Sequence, residues 1–174
     1  MSKSVVFQIT HEPLSLELLH DLIIDPNRKV EFSPGAVLSI KRARKYLDDR
    51  LERDDSPIYG INTGFGFLAN TMIAESDLES LQERLIKSHA CGTGKLVAEE
   101  VVRFMIILKA KSISFGHSGV ALETGQRLLD FYNHHITPVV YQQGSLGASG
   151  DLAPLAHLCL PLLGEGEVTY QGKR

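Results

Sequence analysis

The stretch GSLGASGDLAPLAH, residues 144–157, sets a small residue, a hydroxyl and a glycine side by side. Ala148 is compact, Ser149 carries a hydroxyl that can be eliminated, and Gly150 has almost no steric demand. Where the chain folds back tightly, the Gly150 nitrogen can attack the Ala148 carbonyl carbon, an approach that glycine permits. Loss of water from the ring so formed and from Ser149 leaves a five-membered imidazolone with an exocyclic methylene. That group is a strong electrophile of a kind no ordinary side chain provides. A simpler account needs no chemistry: Ser149 or Asp151 caps a helix, Pro154 sits in its first turn, and the glycines relieve the backbone. Residue types alone leave both accounts open.

The elements that must hold this segment read as mostly helical. Leu14, Leu18, Leu19 and Leu22 have helical spacing, between the short strands VVFQIT and KVEFS. Ser33-Pro34 opens a second helix, with serine as cap and proline in the first turn. Ala36, Ile40, Ala43, Leu47 and Leu51 form its inner face, and KRARKYLDDRLER supplies its solvated side. DDSPIYGINTGFG breaks the pattern with Pro57 and three glycines and reads as a loop. Ser76 and Glu79 read as a capping box ahead of Leu78, Leu81 and Leu85. HACGTGK is a further glycine-bearing break, and LVAEEVVRFMIILKAKSISFG predicts a long, central apolar helix. Ser118 is expected to cap the next helix, GVALETGQRLLDFYNHH, and Pro138 to start an extended link. Residues 152–163 are almost wholly apolar and predict a helix buried on most sides. GEGEVTYQGKR reads as a short hairpin. The fold class expected is mainly α, with a few short strands near the N- and C-terminal ends.

Composition sets outer limits. The 174 residues suffice for a domain with a real core, and 43% apolar with 22% charged residues is ordinary for a globular protein. A net charge of -3 without a basic stripe gives no footprint for nucleic acid. Apolar runs such as FMIILKA are broken by charge well short of a membrane span, and MSKSVVFQIT lacks the apolar run of a signal peptide. Cys91 and Cys159 lie far apart without metal-type spacing and read as reduced, buried thiols of a cytosolic protein. GFGFLA, residues 64–69, matches a dinucleotide loop only formally, since no βαβ unit surrounds it. GTGK, residues 92–95, fails as a phosphate loop: His89 stands where a glycine is needed and Leu96 where serine or threonine is needed. GHSGV and GASGD each miss the last glycine of a nucleophile elbow. The seven histidines show no ligand spacing with partner carboxylates, so no metal is expected.

YGINTGFG (59–66), SHACGTG (88–94) and GSLGASGDLAPLAH (144–157) together resemble the aromatic amino-acid ammonia-lyases, and most closely the members acting on histidine. The resemblance runs in order along nearly the whole chain. It implies the N-terminal part of a fumarase/aspartase-like helical-bundle lyase. Residues 1–114 would form an N-terminal domain with a substrate-loop tyrosine, and residues 115–174 the start of the central helical core. It implies that Ala148, Ser149 and Gly150 cyclise without other enzymes into 4-methylidene-imidazole-5-one (MIO), with Asp151 assisting ring formation or holding the helix start. No metal or nucleotide is implied.

The reaction implied is non-oxidative elimination of ammonia from L-histidine to give trans-urocanate, a step of histidine catabolism in the cytoplasm. Joining the electrophilic methylene to the amine makes nitrogen a better leaving group. Tyr59 matches the family's catalytic tyrosine and would take the β-proton; a free phenol titrates near about 10, so such a site must favour the phenolate. Ser88-His89 matches the histidine-acting members, and His89 could hydrogen-bond a substrate imidazole. Gly60, Asn62 and Leu146 are expected at the cavity as well. Alternatives from the same resemblance are a lyase or aminomutase acting on tyrosine or phenylalanine; from a different class, the alternative is a non-catalytic helical interaction domain. The family's chains are longer and form homotetramers that share their sites between subunits. The chain alone is therefore expected to be inactive and to expose apolar helix faces.

Overall fold

A computed structural model describes residues 6–25, 27–54, 56–150 and 152–174. Local capping explains the first elements. β1 (Phe7–Ile9) leads to α1 (Leu16–Ile24), where the Ser15 hydroxyl accepts the Leu18 N–H at 3.2 Å. β2 (Val30–Phe32) returns parallel to β1, pairing Phe7 with Val30 and Ile9 with Phe32. α2 (Pro34–Arg53) starts as the sequence predicts: the Ser33 hydroxyl accepts the Ala36 N–H at 3.2 Å and Pro34 occupies the first turn. Ala36 and Ile40 are its buried residues, while Ala43, Leu47 and Leu51 are half-buried.

α3 (Leu78–His89), β3 (Thr93–Leu96) and α4 (Glu99–Ser114) follow. α4 is the central helix. Val102, Ile106, Ile107, Ala110 and Ile113 bury against α1, α2 and α5 (Leu122–Asn133). Polar contacts tie this core to the N-terminal elements α1 and β2 and to the chain just after β1. The buried Tyr132 hydroxyl donates to the Leu22 carbonyl, and the Arg103 guanidinium lies 4.1 Å from the centre of its ring. The Asn133 amide clasps both backbone groups of Val30 at 2.8 Å, extending the edge of β2 with a side chain. Lys111 is buried, donates to the carbonyls of Thr10 and Glu12, and sits 4.5 Å from the Phe115 ring; burial lowers its affinity for a proton. One apolar cluster runs from Ile9 to Leu158.

The remaining strands are β4 (Ile136–Pro138), β5 (Tyr141–Gln143) and β6 (Val168–Tyr170), with α6 (Leu152–Cys159) between β5 and β6. β3 pairs antiparallel with β5 through an irregularity, and β4 pairs antiparallel with β6. The mainly helical class holds, but strands also occur in the middle of the chain.

Several local expectations give way to tertiary structure. Residues 75–77 form a 3₁₀ turn, so α3 starts after Asp77 rather than at a Ser76 capping box. α5 starts after Ala121 with no side-chain cap, so Ser118 is not its cap. The C-terminal segment does turn back on itself, Tyr170 and Lys173 exchanging backbone hydrogen bonds at 2.8 and 3.0 Å across Gln171-Gly172, but its longer pairing is with distant β4. α6 ends at Cys159, and a 3₁₀ turn continues to Leu163 through Pro161, which cannot extend the helical ladder. Cys91 is exposed rather than buried, Cys159 is half-buried, and both thiols are free.

Ile106 is fully buried at the centre of α4. Ile106→Ala should therefore cost about 2–5 kcal/mol of stability. Urea unfolding checks this, as a lower midpoint with an unchanged slope.

Candidate active site

α3 packs beside α6, and the chain leaving α3 enters β3, which pairs with β5. β5 in turn runs into the 144–150 turn and α6. The stretches SHACGTG and GSLGASGDLAPLAH are thereby joined at both ends.

Between those joints the two backbones cross at Gly92 and Gly144. A Cβ on Gly144 would stand 2.9 Å from the Gly92 Cα and 3.2 Å from the Ala153 Cβ. A Cβ on Gly92 would stand 2.9 Å from Nε2 of His157. That nitrogen accepts the Gly92 N–H at 2.9 Å, so it is unprotonated, and the ring meets Tyr141 edge-to-face at 5.2 Å. Burial holds His157 below the ordinary imidazole value.

Gly147–Ser149 form a single 3₁₀ turn closed by the Gly150 N–H on the Gly147 carbonyl at 3.4 Å. Leu146 and Gly150 make an isolated antiparallel bridge across it, and Leu146 is exposed. Gly150 has φ +79°, a backbone angle that side chains disfavour, and nothing would crowd a Cβ there. Ring closure between Ala148 and Gly150 needs a chain folded back within three residues, free of bulky neighbours. The chain does fold back in this turn, and nothing stands within 4 Å of a Cβ at Gly147 or Gly150, so the backbone here is compatible with the implied MIO group. Asp151 lies outside the described residues.

Tyr59 is held by a knotted loop. The buried Asn62 amide accepts the Ile58 N–H at 2.7 Å and donates to the Ser56 carbonyl at 3.1 Å. The Asn62 carbonyl accepts from Ile73, and the Gly64 N–H reaches the Thr71 carbonyl, both at 3.0 Å. Gly60 has φ +74° and its carbonyl accepts from Gln82 of α3 at 3.2 Å. The Tyr59 ring meets Phe65 edge-on at 5.9 Å, and its oxygen accepts the Gly66 N–H at 3.4 Å.

A cleft of about 600 Å³ brings these parts together. Tyr59 and Phe65 form one wall, Leu85, Ile86 and His89 of α3 a second, and Leu152, Leu155 and Cys159 of α6 a third. Lys109 of α4 supplies an ammonium, and no carboxylate is among the lining residues described. Burial raises the Cys159 thiol, an effect that nearby Lys109 partly offsets. Nδ1 of His89 lies 2.7 Å from the Leu85 carbonyl, which fixes the proton on Nδ1 and leaves Nε2 as an acceptor. Ser88 is exposed; its hydroxyl donates to the same carbonyl at 2.9 Å and lies 3.2 Å from Nδ1. Tyr59 and His89 thus converge on the helix that follows the tripeptide. Gly60, Asn62, Ser88, Leu146 and the tripeptide Ala148, Ser149 and Gly150 are not among the cleft residues; Asn62 pins the loop, Ser88 sits behind His89, and the tripeptide adjoins the cleft through Leu152 of α6. A cleft of about 670 Å³ between α2 and residues 115–119 is larger, but none of the sequence-predicted site residues lines it.

Sequence reasoning missed Phe65, Lys109, Cys159 and His157. Lys109 had a signal, as a cation set inside an apolar helix. His157 stands inside the quoted motif, but its partner lies 65 residues away.

Fold and cleft together describe a helical scaffold presenting a tight glycine-bearing turn beside an apolar cleft, and the chain belongs to the aromatic amino acid lyase family, whose sequence profile matches residues 14–174. It is 61% identical over 162 residues to a histidine ammonia-lyase of Geobacillus thermodenitrificans, covering 89% of this chain and 32% of that protein. The solved histidine ammonia-lyase of Trypanosoma cruzi superposes with a TM-score of 0.86 at 35% identity, over 97% of this chain and 32% of that one. A tyrosine aminomutase from Streptomyces globisporus superposes at 0.87 with 31% identity, over 97% of this chain and 31% of that one. The chain spans about a third of the length of the curated relatives it matches.

Asn62→Ala leaves the Ile58 N–H and the Ser56 carbonyl without their partner, a loss of about 1–3 kcal/mol. Amide exchange across residues 58–64 should accelerate while α4 stays protected. The pH dependence of stability follows from His157. Its folded value lies below the ordinary about 6.5, so the unfolded chain binds the proton more readily. Stability is fully present above about pH 6.5 and declines as pH falls toward the folded value. His135 is lowered too and adds the same sign. Melting curves from wild type and His157→Gln, compared between pH 8 and 5, isolate the His157 share as a shallower acid limb in the variant.

Proposed function

We propose that the full-length protein eliminates ammonia from L-histidine to give trans-urocanate, using MIO formed from Ala148, Ser149 and Gly150. One observation carries the reading: Tyr59 and His89, on separate elements, line one cleft with the helix that begins just past the 3₁₀ turn of the tripeptide. The similarity to histidine ammonia-lyases supports the choice of substrate.

The MIO group supplies an electron-poor alkene that takes up the substrate amine and makes it a better leaving group. This chain's own residues do the rest. Tyr59 accepts a backbone N–H and gives its proton to no described group, so it is free to exchange a proton with a ligand in the cleft. Its role is to remove the β-proton. His89 carries its proton on Nδ1, so Nε2 can accept the N–H of a substrate imidazole. A phenylalanine ring returns no such bond and leaves the acceptor unpaired. Leu85, Ile86, Leu152 and Leu155 keep the cleft walls dry, which strengthens every polar contact inside. The amino end of α6 starts just past Gly150, and its unpaired N–H groups favour negative charge there.

A homotetramer is part of the reading. Val101, Leu108, Phe67 and Leu146 are exposed apolar residues available for burial between subunits. No helix among the described residues is long and apolar enough to cross a membrane, which fits the proposed cytoplasmic site of histidine catabolism.

Ultraviolet assay of the full-length protein should show urocanate from histidine, with little product from tyrosine or phenylalanine. Tyr59→Phe should lower kcat by about 10²–10⁴, and His89→Leu should lower kcat/KM for histidine more than for phenylalanine. A β-amino acid product would instead mark an aminomutase, the activity of one structural relative. Full turnover by Ser149→Ala would overturn the mechanism.

A further inference from the structure

His157 has no place in the chemistry above, yet it stands where the two site-bearing stretches cross. Gly92 follows His89 by three residues, and His157 lies on the helix that begins just after Gly150. A Cβ on Gly144, which opens the turn, would meet both Gly92 and Ala153 of the same helix. The β3–β5 ladder pairs Thr93 with Gln143 beside this crossing, but through an irregularity, and the glycines have no side chains to interlock. The directional contact that ties the Gly92 end of the ladder to α6 is the hydrogen bond from the Gly92 N–H to Nε2 of His157.

We propose that His157 is a positioning residue: by accepting the Gly92 N–H it sets the register of the two crossing loops and so the placement of His89 relative to Ala148, Ser149 and Gly150. The inference rests on the functional reading above. It requires an acceptor at the Nε2 position, whereas a packing role requires only an aromatic ring. The edge contact with Tyr141 satisfies the ring requirement, so the two can be separated by substitution.

His157→Phe keeps a ring against Tyr141 and leaves the Gly92 N–H without its acceptor. His157→Gln gives up the ring and keeps an amide oxygen near Nε2. Both are made in the full-length protein, with Gly92→Ala as a third variant, whose Cβ would press on Nε2 of His157 and on the Tyr141 Cβ. Three quantities are read: amide exchange at Gly92, the mass deficit of two waters in the peptide holding residues 148–150, and kcat and KM for histidine. His157→Phe and Gly92→Ala should lose Gly92 protection, carry an incomplete mass deficit, and raise KM while lowering kcat by tenfold or more, since a misplacement of about 1 Å can cost on the order of 10²-fold. His157→Gln should restore all three to near wild type. Should His157→Phe fail to fold, Gly92→Ala against His157→Gln gives the same contrast. Wild-type exchange, mass and kinetics in His157→Phe or Gly92→Ala overturn the proposal, as does an equal loss in Phe and Gln variants. A wild-type protein with neither mass deficit nor urocanate formation overturns the functional reading, and this assignment with it.

Discussion

The approach of Gly92 to Gly144 is the constraint on which the site depends. A Cβ on Gly144 would come within 2.9 Å of the Gly92 backbone, closer than packed side chains come to one another. This contact lets the end of α3 and the start of α6 lie side by side. It brings the His89 ring, a cleft wall, near the helix that continues from the tripeptide. Larger residues at either position would wedge α3 from α6, and the cleft between them would lose its shape. The β3–β5 ladder then holds the crossing from one side, and the α3–α6 packing holds it from the other.

Rigidity behind the site comes from α4. Its buried residues are aliphatic, and its polar exceptions each have a specific partner: Arg103 stacks on Tyr132, and Lys111 holds the chain just after β1. Lys109 departs from this pattern, because it reaches the cleft from the same helix. A cation on the central helix, facing a lining without described carboxylates, biases the cleft toward anionic ligands. The Tyr59 loop is a different kind of support. It has no apolar core of its own and is held by backbone groups satisfied through Asn62, Thr63 and the 71–73 segment. Such a loop can open at modest cost, whereas the crossing of Gly92 and Gly144 cannot.

What the sequence revealed depended on how local each signal was. Ser33 and Pro34 specify the start of α2 by themselves, because the cap bond spans three residues. The Ser76 box has the same form and fails, since the preceding residues tighten into a 3₁₀ turn that moves the helix start. The C-terminal segment makes the tight turn its composition predicts, between Tyr170 and Lys173, but its pairing with β4, some 30 residues earlier in the chain, was not legible. Residue types left Ala148, Ser149 and Gly150 open between a helix cap and cyclisation, and the 3₁₀ turn closed by Gly150 became visible only in the fold. His89 was readable as a candidate, but its tautomer was not, because Leu85 had to be placed by the helix first. His157 stayed hidden for the same reason on a larger scale, its partner being remote in sequence.

Removing a barely acidic proton demands that base and substrate meet in a place from which water is excluded. Tyr59 is 63% exposed in this chain, and Phe67 just beyond its loop is fully exposed. The apolar walls from α3 and α6 shelter one side of the phenol; the other faces solvent. On the proposed function, cover for that side would come from the rest of the full-length protein or from a second subunit. Leu146 and Leu152, exposed on either side of the tripeptide, extend the same surface. The tripeptide turn and the tyrosine would therefore share one requirement: a neighbouring surface that closes over both before a substrate held between them is kept from water.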